Sequence, residues 1–154
     1  MIYFTSYLFQ GSKKQVVEAH KFVLALGSDV FKAQFYGSLK GEEEIKTNWN
    51  YKDFKLFISI FYGEVNLKGR RLQSLCGLFQ ISDYYNISEI KTAIIKIIKS
   101  THWQLSDKEI TEAAFIAQAN DGFHSELSRA LYDRILEHCG TDHSGIENWF
   151  SQER

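Results

Sequence analysis

Between residues 18 and 37 the apolar spacing changes from that of a strand to that of two short helices. Glu18 and Ala19 close an extended run, and Phe22, Val23 and Leu26 then follow at helical intervals. Val30, Ala33 and Phe35 repeat the helical pattern after Gly27, with Ser28 placed to cap the second helix. A strand feeding two helices too short to stand alone must pack on other elements of the same domain. This excludes all-α and all-β architectures and points to an α+β fold.

The flanking segments supply those elements. Ile2 to Phe9 is dense in β-branched and aromatic residues and reads as a strand, and Gln15 to Glu18 as its return across a polar turn at residues 10–14. Residues 37–43 form a polar loop before a short strand at Glu44-Ile45-Lys46-Thr47. Phe54, Phe57, Ile58 and Phe61 mark an amphipathic helix over Asp53–Tyr62, with Asp53 near its start, broken at Gly63. Leu72, Leu75, Cys76, Phe79 and Ile81 build another helix, ending near Tyr84. Ile90, Ile94, Ile97 and Ile98 build the next, opened by Ser88 or Asn86. Beyond residues 100–103 all is helical: a Ser106/Glu109 capping box opens a helix that stops near Asn120. A further helix runs from about Phe123 to His138 with Leu127, Leu131 and Ile135 inward, stopped by Gly140. Ile146, Trp149 and Phe150 mark a last short one.

Bulk properties restrict function. A net charge of −1 gives no global field for nucleic acid or an anionic membrane. No apolar run reaches the ~20 residues of a spanning helix. Two cysteines, Cys76 and Cys139, make no disulfide framework and fit a reducing cytoplasmic or nuclear setting. A chain of 154 residues suits one domain with a small appendage.

The segment Ala19-His20-Lys21-Phe22-Val23-Leu24-Ala25-Leu26-Gly27-Ser28-Asp29-Val30-Phe31-Lys32-Ala33-Gln34-Phe35-Tyr36-Gly37 resembles the signature of BTB/POZ domains. Phe57 to Leu67 and Leu72 to Tyr85 resemble later motifs of that family, although Gln80 stands near its usual alanine. Leu105 to Cys139 is similar to the start of a BACK domain. The resemblance implies a small β-sheet flanked by a helical cluster over residues 1–100. Partial BACK-like helices then occupy 101–154. It also implies a non-enzymatic protein-interaction module without metal or cofactor, an adaptor that joins a cullin-3 ubiquitin ligase to a substrate protein not identified by the sequence. The alternative is an oligomerisation scaffold without cullin binding.

In the family, cullin-3 is held by an apolar–any–glutamate loop motif together with a neighbouring helix. Carried over, these positions are Leu39, Lys40 and Gly41, with Glu42 next in line, and Phe61 and Tyr62. Gly41 where the family has glutamate is a departure. The homodimer face corresponds to His20, Phe22, Val23 and Leu26. The chain begins inside the first strand, and the family's preceding helix is lacking. The expectation is therefore either a trimmed product or a protein that self-associates weakly or not at all.

Other groups carry bland explanations. His20, without a second ligand at metal spacing, is expected to bond to nearby backbone. His138, Cys139, Asp142 and His143 are zinc-ligand types, but a helix end and polar loop account for them. Cys76 lies on an apolar helical face and is expected to be buried. Glu42-Glu43-Glu44 and Lys68-Gly69-Arg70-Arg71 read as solvated. Tyr62, Trp103, Trp149 and Phe150, at helix ends or in the tail, are candidates both for the core and for interface anchors.

Overall fold

A computed structural model describes residues 1–6, 15–37, 44–63, 65–103, 106–119 and 125–139, without the side chains at 5, 6, 107, 110, 114, 117, 118, 138 and 139. The described elements run β1 (Ile2–Ser6), β2 (Gln15–Ala19), α1 (Lys21–Gly27), α2 (Asp29–Tyr36), β3 (Glu44–Thr47) and α3 (Tyr51–Ile60). They continue with α4 (Leu72–Tyr84), α5 (Ser88–Ser100), α6 (Asp107–Ala119) and α7 (Glu126–Cys139). The fold is α+β, as expected, and two compact units are distinguished. The first comprises residues 1–69 and 77–91, the second 70–76 and 92–154.

In the first unit, β1 and β2 form the expected antiparallel hairpin, in register Ile2↔Ala19 through Ser6↔Gln15. Alternation puts Ile2, Phe4, Val17 and Ala19 on the buried face. β3 adds to the other side of β1 in parallel, Tyr3↔Glu44 to Ser6↔Thr47, and makes β1 the central strand. Beneath the sheet lies an aromatic core. Tyr85 stacks on Phe31 at 4.1 Å between centroids and on Phe57 at 5.4 Å. Phe31 also stacks on Phe35 at 5.5 Å, and Phe4 meets Phe54 at 5.0 Å. Each such pair adds roughly 0.5–1.5 kcal/mol beyond the area it buries.

Local chemistry sets the helix ends. Ser28 is buried and uses its hydroxyl twice: it accepts from the Phe31 amide at 3.3 Å and donates to the Tyr85 carbonyl at 2.8 Å. The α2 cap is thereby tied to the end of α4. α3 starts earlier than the sequence indicates, because Asn50 and not Asp53 caps it. The Asn50 side chain accepts from the amides of Lys52 and Asp53 at 3.0 and 3.4 Å. Gly63 then takes φ +73°, which ends the helical run as expected. At the end of α4 Asn86 is left-handed, with φ +52°. It turns the chain instead of opening α5, which begins at Ser88.

The second unit contains the expected capping box. The Ser106 amide and hydroxyl donate to Glu109 Oε2 at 3.0 and 2.8 Å, and the Glu109 amide returns a bond to Ser106 Oγ at 3.4 Å. These bonds, and Arg71 nearby, hold the Glu109 carboxyl below its ordinary 4.5. Leu127, Leu131 and Ile135 of α7 are buried as their spacing indicates. α7 begins at Glu126, with Ser125 Oγ accepting from the Ser128 amide at 3.0 Å. In α4 Cys76 is buried as expected, whereas Leu78 is fully enclosed and Phe79 only half so. The indole N–H of Trp103 donates to the Ile98 carbonyl at 3.2 Å. Gly140, the helix expected around Trp149 and Phe150, and Asp142 and His143 lie outside the described residues.

Candidate protein-interaction surfaces

Two surfaces of the first unit have the character of docking sites. One is α1. Its single buried side chain is Leu24; Phe22 is 66% exposed and Leu26 73%, with Val23 half-buried between them. Two large apolar side chains offered to water from one seven-residue helix form a patch that association would cover. Gly27 ends this helix where a Cβ would come within 2.7 Å of the Phe61 ring. α1 is therefore seated directly on an aromatic side chain of the turn after α3.

His20 precedes α1 and binds Tyr62, not nearby backbone as its position implies. The His20 amide donates to Tyr62 Oη at 2.9 Å, and His20 Nδ1 lies 3.0 Å from the same oxygen. The phenol oxygen thus takes the amide hydrogen and shares a second hydrogen bond with the imidazole. Tyr62 and His20, assigned to different faces from the sequence, are thus one hydrogen-bonded pair. Phe61 is half-buried against Phe31 and Phe57 at 6.0 and 5.4 Å.

The other surface is a groove of about 550 Å³ between α2, β3 and the end of α4. Val30 and Gln34, one turn apart on α2, form one wall; residues 45–49 form the second; Tyr84 and Tyr85 close the end. Trp49 and Tyr84 meet edge to face at 5.6 Å. Burial holds the Tyr85 phenol well above its ordinary range, reinforced by Tyr84 and partly offset by a hydrogen bond to Trp49, so this wall is neutral. Lys46 is exposed, and no ion pair joins it among the described residues. The Thr47 hydroxyl is buried without a hydrogen-bond partner.

Residues 38–43, which hold Leu39, Lys40, Gly41 and Glu42, lie outside the described residues. They connect α2 to β3, the two elements that flank this groove. The motif glycine before them, Gly37, has a direct physical cause: a Cβ there would come within 2.2 Å of the Ala33 carbonyl oxygen. Sequence reasoning did not assign the groove residues Trp49, Tyr84 and Thr47. Trp49 and Tyr84 sit where apolar spacing breaks down, between β3 and α3 and at the last turn of α4, which was their only signal.

The fold, the segment around Phe31 and Gly37, and the exposed α1 agree with the comparison to known families. The model of the BTB/POZ domain matches residues 4–102, well over half of the chain, and the chain belongs to that family. BTB/POZ domains are protein–protein interaction modules, also capable of self-association and generally without catalytic activity. Among curated proteins none matches this chain. No described helix is long and apolar enough to cross a membrane. Among the described residues no three metal-ligating side chains converge.

Proposed function

We propose that this BTB/POZ protein is an adaptor of a cullin-3 ubiquitin ligase. In this reading residues 1–100 bind the N-terminal region of cullin-3. Residues 101–154, including α6 and α7, are the start of a BACK-like extension leading toward a substrate-binding region. The observation that carries it is the groove beside α2 and β3. It lies at both ends of the connection that contains Leu39, and it combines an aromatic wall with the exposed Lys46 and one buried hydroxyl, that of Thr47, which has no partner among the described residues.

Calorimetric titration with the cullin-3 N-terminal domain tests this. A dissociation constant below about 50 µM supports the adaptor reading, and no heat at that concentration sinks it. Leu39→Ala removes an apolar anchor and should weaken binding by roughly tenfold or more. Gly41→Glu, which restores the acid of the loop motif, should strengthen it.

A second reading, a self-associating scaffold without cullin affinity, is favoured by the exposed Phe22 and Leu26. It predicts concentration-dependent mass in light scattering that the double substitution Phe22→Glu/Leu26→Glu abolishes while the circular dichroism spectrum remains that of the folded chain. A monomer at every concentration would remove this reading.

A further inference from the structure

A smaller groove, of about 300 Å³, lies between β2 and α3, and none of its lining residues borders the groove beside β3. Val17 of β2 and Ile58 of α3 are buried and form its floor. Glu18, exposed beside Val17, stands on one rim. Tyr51, Lys55 and Ser59 of α3 stand on the other, and Tyr62 follows them just past the helix. Tyr51, Lys55 and Ile58 are spaced i, i+4, i+7, so one face of α3 supplies this wall.

The polar groups of this groove are set before anything enters it. The Lys55 ammonium lies 6.0 Å from the centre of the Tyr51 ring, which draws it along the α3 wall. The Ser59 hydroxyl donates to the Lys55 carbonyl at 2.9 Å, so what it offers outward are its lone pairs. Tyr62 is fixed through its two bonds to His20. The two charges, by contrast, are uncompensated. Glu18 and Lys55 line the same groove, and neither takes part in an ion pair among the described residues.

We propose that this groove docks a segment of a partner protein in which a basic, an apolar and an acidic side chain occur within three consecutive residues. The basic group meets Glu18, the acidic group meets Lys55, and the apolar one covers Val17 and Ile58. Ser59 accepts from an amide of the segment. A chain in the polyproline II conformation has three residues per turn, so three successive side chains point about 120° apart, toward the two rims and the floor. This arrangement needs no backbone pairing with β2. Opposite charges on facing rims reject segments that would set like charges together. Side chains already held in place lower the entropy lost on binding. The site does not depend on the cullin-3 reading, with which it shares only Tyr62.

Selection of a dodecapeptide display library on the whole chain, followed by titration with synthetic copies of the enriched peptides, tests this. Enriched sequences should share the basic, apolar and acidic triplet, and the amide shifts they change should map to residues 16–18 and 51–62. Glu18→Lys and Lys55→Glu should each weaken binding about tenfold or more. Both side chains are exposed, so the circular dichroism spectrum of each variant should stay that of the folded chain. Each reversal should be rescued by its match in the peptide. Lys55→Glu should bind a peptide whose acidic residue is replaced by lysine, and Glu18→Lys one whose basic residue is replaced by glutamate. No shared triplet, no rescue by the matching peptide, or shift changes confined to α1 or to residues 45–49 would overturn the proposal. Self-association that Lys55→Glu abolishes would assign the groove to a second copy of the chain and overturn it as well. Neither variant should alter cullin-3 binding. Failure of cullin-3 to bind would leave these results standing, and cullin-3 binding without peptide enrichment would sink only this groove.

Discussion

Ser28 shows how much one side chain carries here. Its hydroxyl caps α2 and also satisfies the Tyr85 carbonyl, a buried acceptor 57 residues away. Ser28→Ala removes the cap and orphans that carbonyl, for an expected loss of about 2–4 kcal/mol. Urea titration measures it, and a loss below about 0.5 kcal/mol would show that the bond to Tyr85 contributes nothing. The cap was legible from the sequence because it depends on three neighbouring residues. The link to Tyr85 was not, since no local pattern connects residues 57 positions apart. The pairing of His20 with Tyr62 escaped for the same reason. Local composition said that His20 needs a partner, and only the fold says which.

At the scale of elements, the capping box of α6 carries a signature in pH. The Glu109 carboxyl is held below 4.5 first by the Ser106 amide, then by the Ser106 side chain and by Arg71. In the unfolded chain it regains its ordinary affinity for protons, so as pH falls the unfolded state takes up the proton first. The contribution is complete above the ordinary glutamate range and is lost as pH drops through the native value. The melting temperature of wild type should therefore fall toward that of Glu109→Gln as the pH drops below the ordinary glutamate range, the difference being constant above that range. Glutamine keeps the capping geometry without the charge, so a parallel decline in both proteins would assign the acid sensitivity elsewhere. Elements of this kind were read well: spacing located the helices, and Ser106 with Glu109 located a start. The start of α3 was misplaced by two residues. Asn50 and Asp53 are both good N-terminal residues, and only backbone geometry decides which one accepts.

For the molecule as a whole, the two candidate surfaces arise from one arrangement. The aromatic core consumes Phe31, Phe35, Phe54, Phe57 and Tyr85, and the residues left over, Phe22, Leu26, Trp49 and Tyr84, come to the surface or its rim. The sequence could show that aromatic residues were abundant; it could not show which ones the core would take. Membership of the BTB/POZ family was legible because its motif residues are those with internal duties: Ser28 as a cap, Phe31 at the core, Gly37 where a Cβ would meet Ala33. The groove was not, because it is bounded by segments joined only through tertiary structure.

The parallel pairing of β1 with β3 also has a consequence in time. β1 meets β2 through a short connection, but its other neighbour is synthesised about forty residues later, after α1 and α2. The central strand must keep one edge unsatisfied until that chain has emerged and folded back. Closing the longer loop costs more entropy, so the hairpin is expected to form early and β3 to add late. Ile45→Val should then accelerate unfolding and leave the folding rate nearly unchanged, whereas Val17→Ala should slow folding. Stopped-flow chevrons on the two variants distinguish this order from its reverse, in which the long-range strand nucleates and the hairpin follows.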